Sequence, residues 1–130
     1  MSVSVSPIHL FDIASQQARW LSVRQATVAA NIANANTPTF VARDVQPFAD
    51  ILDKTQLNMA VTDPRHFSLA EADVPTTSVR PADAWETTKS GNSVSIEQEM
   101  MKSGEVNRSF SLNANIVKAF NNMLLAAVKV

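Results

Sequence analysis

The sequence predicts a mainly α protein: two long terminal helices pairing as a coiled coil, with an irregular, partly β middle segment between them. Three observations carry this. Five of the six prolines fall between positions 38 and 81, so only the two flanks are free of the strongest helix breaker. Apolar residues in both flanks recur at alternating three- and four-residue steps, the spacing of a narrow helix seam. Alanine occurs 18 times and tyrosine not at all, which gives little for a thick core and suits helices that approach closely. The 130 residues then divide into an N-terminal helix within 1–36, a Pro-rich middle of loops and short strands over 37–93, and a C-terminal helix over 94–130. Together they form one domain.

The first helix starts favourably, because Ser6 can cap it and Pro7 suits the first helical position. Phe11, Ala14, Ala18, Leu21, Gln25, Val28, Ile32 and Ala35 form its seam, with Gln25 the one polar member. Asn36 and Thr37 end it, since Pro38 drives Thr37 out of the α region.

The middle is punctuated throughout. Residues 58–62 alternate weakly and read as a strand, Asp63-Pro64-Arg65-His66 as a turn, and residues 67–69 as a possible return strand. Residues 71–90 are rich in Pro, Thr, Ser and Asp, with Val74, Val79 and Trp85 as apolar anchors.

The last helix opens after Ser90-Gly91-Asn92, with Ser93 or Ser95 as cap and Glu97 and Glu99 where the helix dipole favours anions. Gly104 costs about 1 kcal/mol relative to alanine and marks a soft point. This helix carries two seams. Leu112, Ile116, Ala119, Met123, Ala126 and Val130 form an unbroken one. Phe110, Val117, Phe120, Leu124 and Ala127 form a second, interrupted at Asn113. One partner helix cannot cover both. Other subunits are expected to bury the interrupted seam, the competing reading being that the middle segment folds over it. A free monomer should accordingly be poorly ordered and gain order on incorporation.

Chemistry is poorly represented. Without cysteine there are no disulfides or thiolate sites, and His9 and His66 are too few for a histidine metal centre. A net charge of −1 gives no footprint for nucleic acid, and two glycines cannot build a phosphate loop. Asp44, Asp50, Asp53 and Asp63 converge on no single face and read as solvated surface. No serine or threonine has a placed base, and Trp20 and Trp85 read as packing or contact anchors. The expectation is a protein that is not an enzyme and needs no cofactor.

Ten asparagines occur, most on the two helices or at their edges. A buried amide in a helix seam fixes register at some cost in stability. Asn31 and Asn34, among Ala30, Ala33 and Ala35, read as close-packed polar contacts. Asn113 and Asn122 read either so or as exposed.

That cluster carries a resemblance. Asn31-Ile32-Ala33-Asn34-Ala35-Asn36-Thr37-Pro38-Thr39-Phe40 resembles the N-terminal signature of flagellar axial proteins, the rod and hook components of the bacterial flagellum. Arg43-Asp44-Val45, the turn at 62–66, and Gly91-Asn92-Ser93-Val94 opening a helix at Glu97, Glu99 and Met100 narrow the resemblance to proximal-rod basal-body proteins. The family's usual Gly-Tyr-Lys after the proline is here Thr39-Phe40-Val41.

The resemblance implies a structural, torque-transmitting rod subunit whose terminal helices pair in the inner part of a tube. It implies export through the flagellar type III apparatus without a cleaved signal, and assembly in the periplasm. Partners would be other copies, other rod proteins, and the export gate and MS-ring adaptor at the rod base, with no nucleic acid and no membrane insertion. Assembly would use Phe11, Leu21, Val28 and Ile32 on the first helix, and Phe110, Ile116, Val117, Phe120, Met123 and Leu124 on the last. The rival reading is an intracellular helical adaptor or export chaperone that clamps a partner's helix.

Overall fold

Two long helices run side by side in opposite directions in the computed structural model, which describes residues 7–59, 75–78 and 83–129. The element order is α1 (Pro7–Ala33), β1 (Arg43–Val45), α2 (Phe48–Met59), β2 (Thr76–Ser78) and α3 (Ile96–Val128). The protein is mainly α.

The antiparallel register of α1 and α3 is set by contacts that step in opposite directions along the two helices. Asn31 meets Glu99, Gln25 meets Ser103, Arg24 meets Glu105, and Asn113 meets both Ala14 and Gln17. Phe11 and Phe120 then pack edge to face with ring centroids 5.6 Å apart. Leu21, Val28 and Val106 form the buried apolar line between these polar rungs.

The helix ends follow local chemistry. Pro7 opens α1, and the chain leaves that helix at Ala33, earlier than the seam reaching Ala35 suggested. Asn34 to Thr37 form a turn instead, in which the Thr37 N–H donates to the Asn34 carbonyl. Of the two cap candidates, Ser95 caps α3 by accepting from the Gln98 N–H, while Ser93 bonds elsewhere. Gly104 does not interrupt α3, which is continuous for 33 residues.

The middle segment corrects the sequence reading. Residues 48–59 are a helix, so Asn58 and Met59 are helical rather than the start of a strand. Phe48, Ile51 and Leu52 supply the helical spacing, and Asp50 sits favourably in the first turn. The β content lies elsewhere, in β1 and β2, which pair antiparallel with Arg43 opposite Ser78 and Val45 opposite Thr76. The cap at Ser6, the turn at Asp63–His66, the return strand at 67–69, the anchors Val74 and Val79, and Val130 lie outside the described residues.

Candidate assembly site

The two sequence motifs fold into one junction. It begins with Asn31, whose side chain is buried to 1% exposure on the last turn of α1. Its amide group donates to the Arg43 carbonyl at 2.7 Å and to the Glu99 carboxylate at 3.1 Å, while its oxygen accepts from the Arg43 N–H. One side chain therefore ties α1, β1 and α3 together.

A second asparagine performs the complementary task. Asn92 is 2% exposed; its amide donates to the carbonyls of Asn34 and Thr37, closing the turn after α1. Its oxygen accepts from the Val94 N–H, so the same residue also shapes the segment leading into α3. The Ser93 hydroxyl accepts from the Ala42 N–H, and the Ser93 N–H donates to the Phe40 carbonyl. Buried polar backbone groups are thus satisfied across the elbow, as a segment without regular structure requires.

Two residues there take the left-handed backbone region. Gly91 has φ +80° in the turn before α3, and Thr39 has φ +62°. The two lie against each other, with a Cβ at Gly91 reaching 3.6 Å from the Thr39 Cα. A β-branched side chain is disfavoured at such a φ, which makes Thr39 a strained residue.

Below the asparagines runs a chain of alternating charge. Glu99 is fully buried, and its second oxygen accepts from Lys102 at 3.1 Å. Lys102 lies 3.4 Å from Asp44, Asp44 lies 3.4 Å from Arg24, and Arg24 reaches Glu105 at 3.4 Å. Arg24 also covers the Trp20 ring at 5.5 Å, and the Trp20 indole N–H donates to the Gln46 carbonyl at 2.7 Å. These contacts strap β1 against α1. The Glu99–Lys102 pair is buried, so breaking it from one side is costly, whereas the Asp44, Arg24 and Glu105 contacts lie nearer the surface.

The remaining motif residues are placed differently. Asn34 is half-buried in the turn after α1, and its amide donates back to the Ala30 carbonyl of that helix rather than across a seam. Ala33, Asn36, Thr37 and Pro38 are exposed, and Phe40 is half-buried. Val94 is buried beside Asn92, whereas Glu97 and Met100 face solvent. Sequence reasoning missed Arg24, Lys102 and the Trp20 bond; the three-residue step from Glu99 to Lys102 was the available signal.

The seams are also sorted. Leu21 and Val28 are buried and Phe11 is half-buried, but Ile32 is 40% exposed because Asn31 occupies the inward position. On α3 the interrupted seam faces α1: Asn113 is buried, and Phe110, Val117, Phe120 and Leu124 are half-buried. Asn113 is thus a contact and not an exposed amide. The unbroken seam is left uncovered, with Leu112, Ile116 and Met123 exposed to 61%, 45% and 66%. This reverses the expectation that the interrupted seam would be the spare one. Phe11 faces Phe120 because an aromatic pair and an amide fit the closely approaching helices, and Leu124 lies on that same stripe.

Among the described residues no group of acids, histidines and cysteines could hold a metal ion, and no helix is long and apolar enough to cross a membrane. The open depression beside Val45 and Pro47 is also lined by Gln46, Asp50, Asp53, Lys54 and Thr77, with the Lys54 ammonium donating to the Gln46 side-chain oxygen at 3.3 Å. A polar-keyed helical hairpin with an uncovered apolar stripe defines a structural protein of the assembling kind.

Comparison with known proteins gives the family. Residues 16–40 match the model for the flagella basal body rod protein, covering the last two thirds of α1 and the elbow. The chain is 46% identical to the flagellar basal body rod protein FlgB of Agrobacterium fabrum (strain C58 / ATCC 33970), over 99% of each chain. It is 35% identical to FlgB of Aeromonas hydrophila over 60% of this chain and 61% of that one. The chain belongs to the FlgB family of flagellar basal body rod proteins, which is structural and not enzymatic.

Proposed function

We propose that this chain is a subunit of the proximal rod that transmits motor torque through the packing of its terminal helices. The observation that carries the reading is the uncovered seam of Leu112, Ile116 and Met123, which runs beside the stripe already used by α1. A coiled-coil seam of this spacing gains its stability only against another helix. Neighbouring copies and other rod proteins would supply that helix, and close-packed side chains resist the shear that rotation imposes. The polar junction of Asn31, Asn92 and Glu99 would hold the hairpin in one register, so that every subunit presents the same stripe.

The family also supports export through the flagellar type III apparatus without a cleaved signal, and assembly in the periplasm. At the rod base the neighbours would be the export gate and the MS-ring adaptor. These finer assignments rest on the relatedness to FlgB proteins.

The test places an acid on the stripe. Cells whose only copy carries Leu112→Asp or Met123→Asp should yield basal bodies lacking the chain, although the purified variants keep their helix content by circular dichroism. Normal incorporation and motility of both would overturn the reading.

A further inference from the structure

A glycine in mid-helix needs a reason, because it lowers helix stability relative to alanine. Gly104 has none within its own chain. Its φ is not in the left-handed region, and a Cβ built on it meets nothing within 4 Å. Around α3 it lies with Met100, Met101 and Arg108 inside about 100° of arc, on the face turned away from Asn113 and Val106, which α1 covers. Met100 and Met101 are 65% and 57% exposed. The result is a shallow notch floored by bare backbone and walled by two adaptable thioethers.

The same chain carries a side chain suited to that notch. Trp85 is 59% exposed, and no other aromatic among the described residues is comparably uncovered. The segment is held beside α3 by the Gln98 amide, which donates to the Asp83 carbonyl. Trp85 does not fill its own chain's notch, since the space above Gly104 is open. Charge complements shape. Glu86 follows the indole, Arg108 stands one turn beyond Gly104, and neither side chain has a hydrogen bond or ion pair among the described residues, whereas Glu105 is tied to Arg24.

We propose that Trp85 and Glu86 of one copy dock on the Met100, Met101, Gly104 and Arg108 face of a second copy. The indole lies on Gly104 between the thioethers, a favourable sulfur–aromatic arrangement, and Glu86 pairs with Arg108. Because each copy presents both halves on different surfaces, the contact is head to tail and propagates along or around an assembly. The inference rests on the rod-subunit reading above and adds a contact separate from the Leu112 to Met123 stripe.

The chain has no cysteine, so disulfide trapping has a clean background. Basal bodies from cells whose only copy carries Trp85→Cys with Met101→Cys should, after oxidation, release a ladder of cross-linked multimers, while either single variant gives no ladder. Glu86→Cys with Arg108→Cys keeps the indole and thioethers in place and should give the same ladder. Rods that contain these chains but release only monomers overturn the contact and leave the rod-subunit reading standing. Loss of free thiols without multimers, showing that Trp85 reaches its own helix, overturns it as well. Gly104→Leu provides an arm independent of cysteine. The purified variant should melt no lower than the parent, yet its recovery in basal bodies should fall by about tenfold. Recovery equal to the parent overturns the proposal.

Discussion

The side chains of Asn31 and Glu99 meet at 3.1 Å inside the fold although 68 residues separate them. That single bond joins the end of the first helix to the start of the last, and it recruits the Arg43 backbone from the strand between them. The junction is polar because it must satisfy backbone groups that no helix or sheet covers. It is also where the two sequence motifs become one structure.

Asn31→Leu should therefore be far more damaging than its hydrophobicity suggests. The substitution leaves one oxygen of the buried Glu99 without that partner and removes both part-buried bonds to the Arg43 backbone. An orphaned buried polar group costs about 1–3 kcal/mol, more when charged, so a loss of roughly 3 kcal/mol is expected. Urea denaturation followed by circular dichroism measures it. A midpoint within error of the parent would show that the junction is not what holds the hairpin.

Thr39→Gly should act in the opposite direction. At φ +62° the threonine is strained by about 1–2 kcal/mol, and glycine removes that strain while giving back part of it as chain entropy. The net expectation is a gain of roughly 0.5–1 kcal/mol, because the Thr39 N–H bond to the Ser90 carbonyl is retained. Gly91→Ala, at φ +80°, should lose stability instead. The pair of denaturation curves separates backbone strain from side-chain packing.

Much of this architecture was legible beforehand, for identifiable reasons. The long seams from Phe11 to Val28 and from Phe110 to Leu124 repeat often enough that a periodic signal rises above chance. The helix at Phe48–Met59 was obscured by its length of 12 residues and by the prolines around it, although Phe48, Ile51 and Leu52 had the correct spacing. Strands of 3 residues carry no period at all, and β1 finds β2 across more than 30 positions of chain. At the site, Asn31 stood out as a close-packed amide and Asn92 as part of the helix-opening motif, but apart from Glu99 their partners are backbone atoms. Which of two equally spaced seams faces α1 depends on Asn113 being accepted by the Ala14 carbonyl and Gln17, which no pattern of apolar residues reveals.

Gln25 interrupts the apolar line of α1, and its amide donates to the Ser103 hydroxyl at 3.3 Å. Its oxygen is buried with no hydrogen-bond partner among the described residues. Gln25→Leu removes that unpaired acceptor and adds apolar contact beside Leu21 and Val28, so the hairpin should gain about 1 kcal/mol. Differential scanning calorimetry should show a higher melting temperature. A lower one would mean that the bond to Ser103 outweighs the orphaned oxygen.

Two adjacent residues on α3 test which stripe belongs to the chain and which to its neighbours. Val117 lies half-buried on the stripe that carries Asn113 and Phe120, whereas Ile116 is 45% exposed on the uncovered one. Val117→Asp forces a carboxylate against α1 and should cost about 2–3 kcal/mol in the free protein. Ile116→Asp meets only water there, so its free-chain stability should stay within about 0.5 kcal/mol of the parent. In cells the ranking disappears, because both variants should fail to enter the rod, one through a loosened hairpin and the other through a spoiled contact. Overexpression separates the two causes: it should partly restore incorporation of Val117→Asp by mass action on the folded fraction, and should leave Ile116→Asp excluded. Equal destabilisation of the two purified variants would mean that a single copy already covers both stripes.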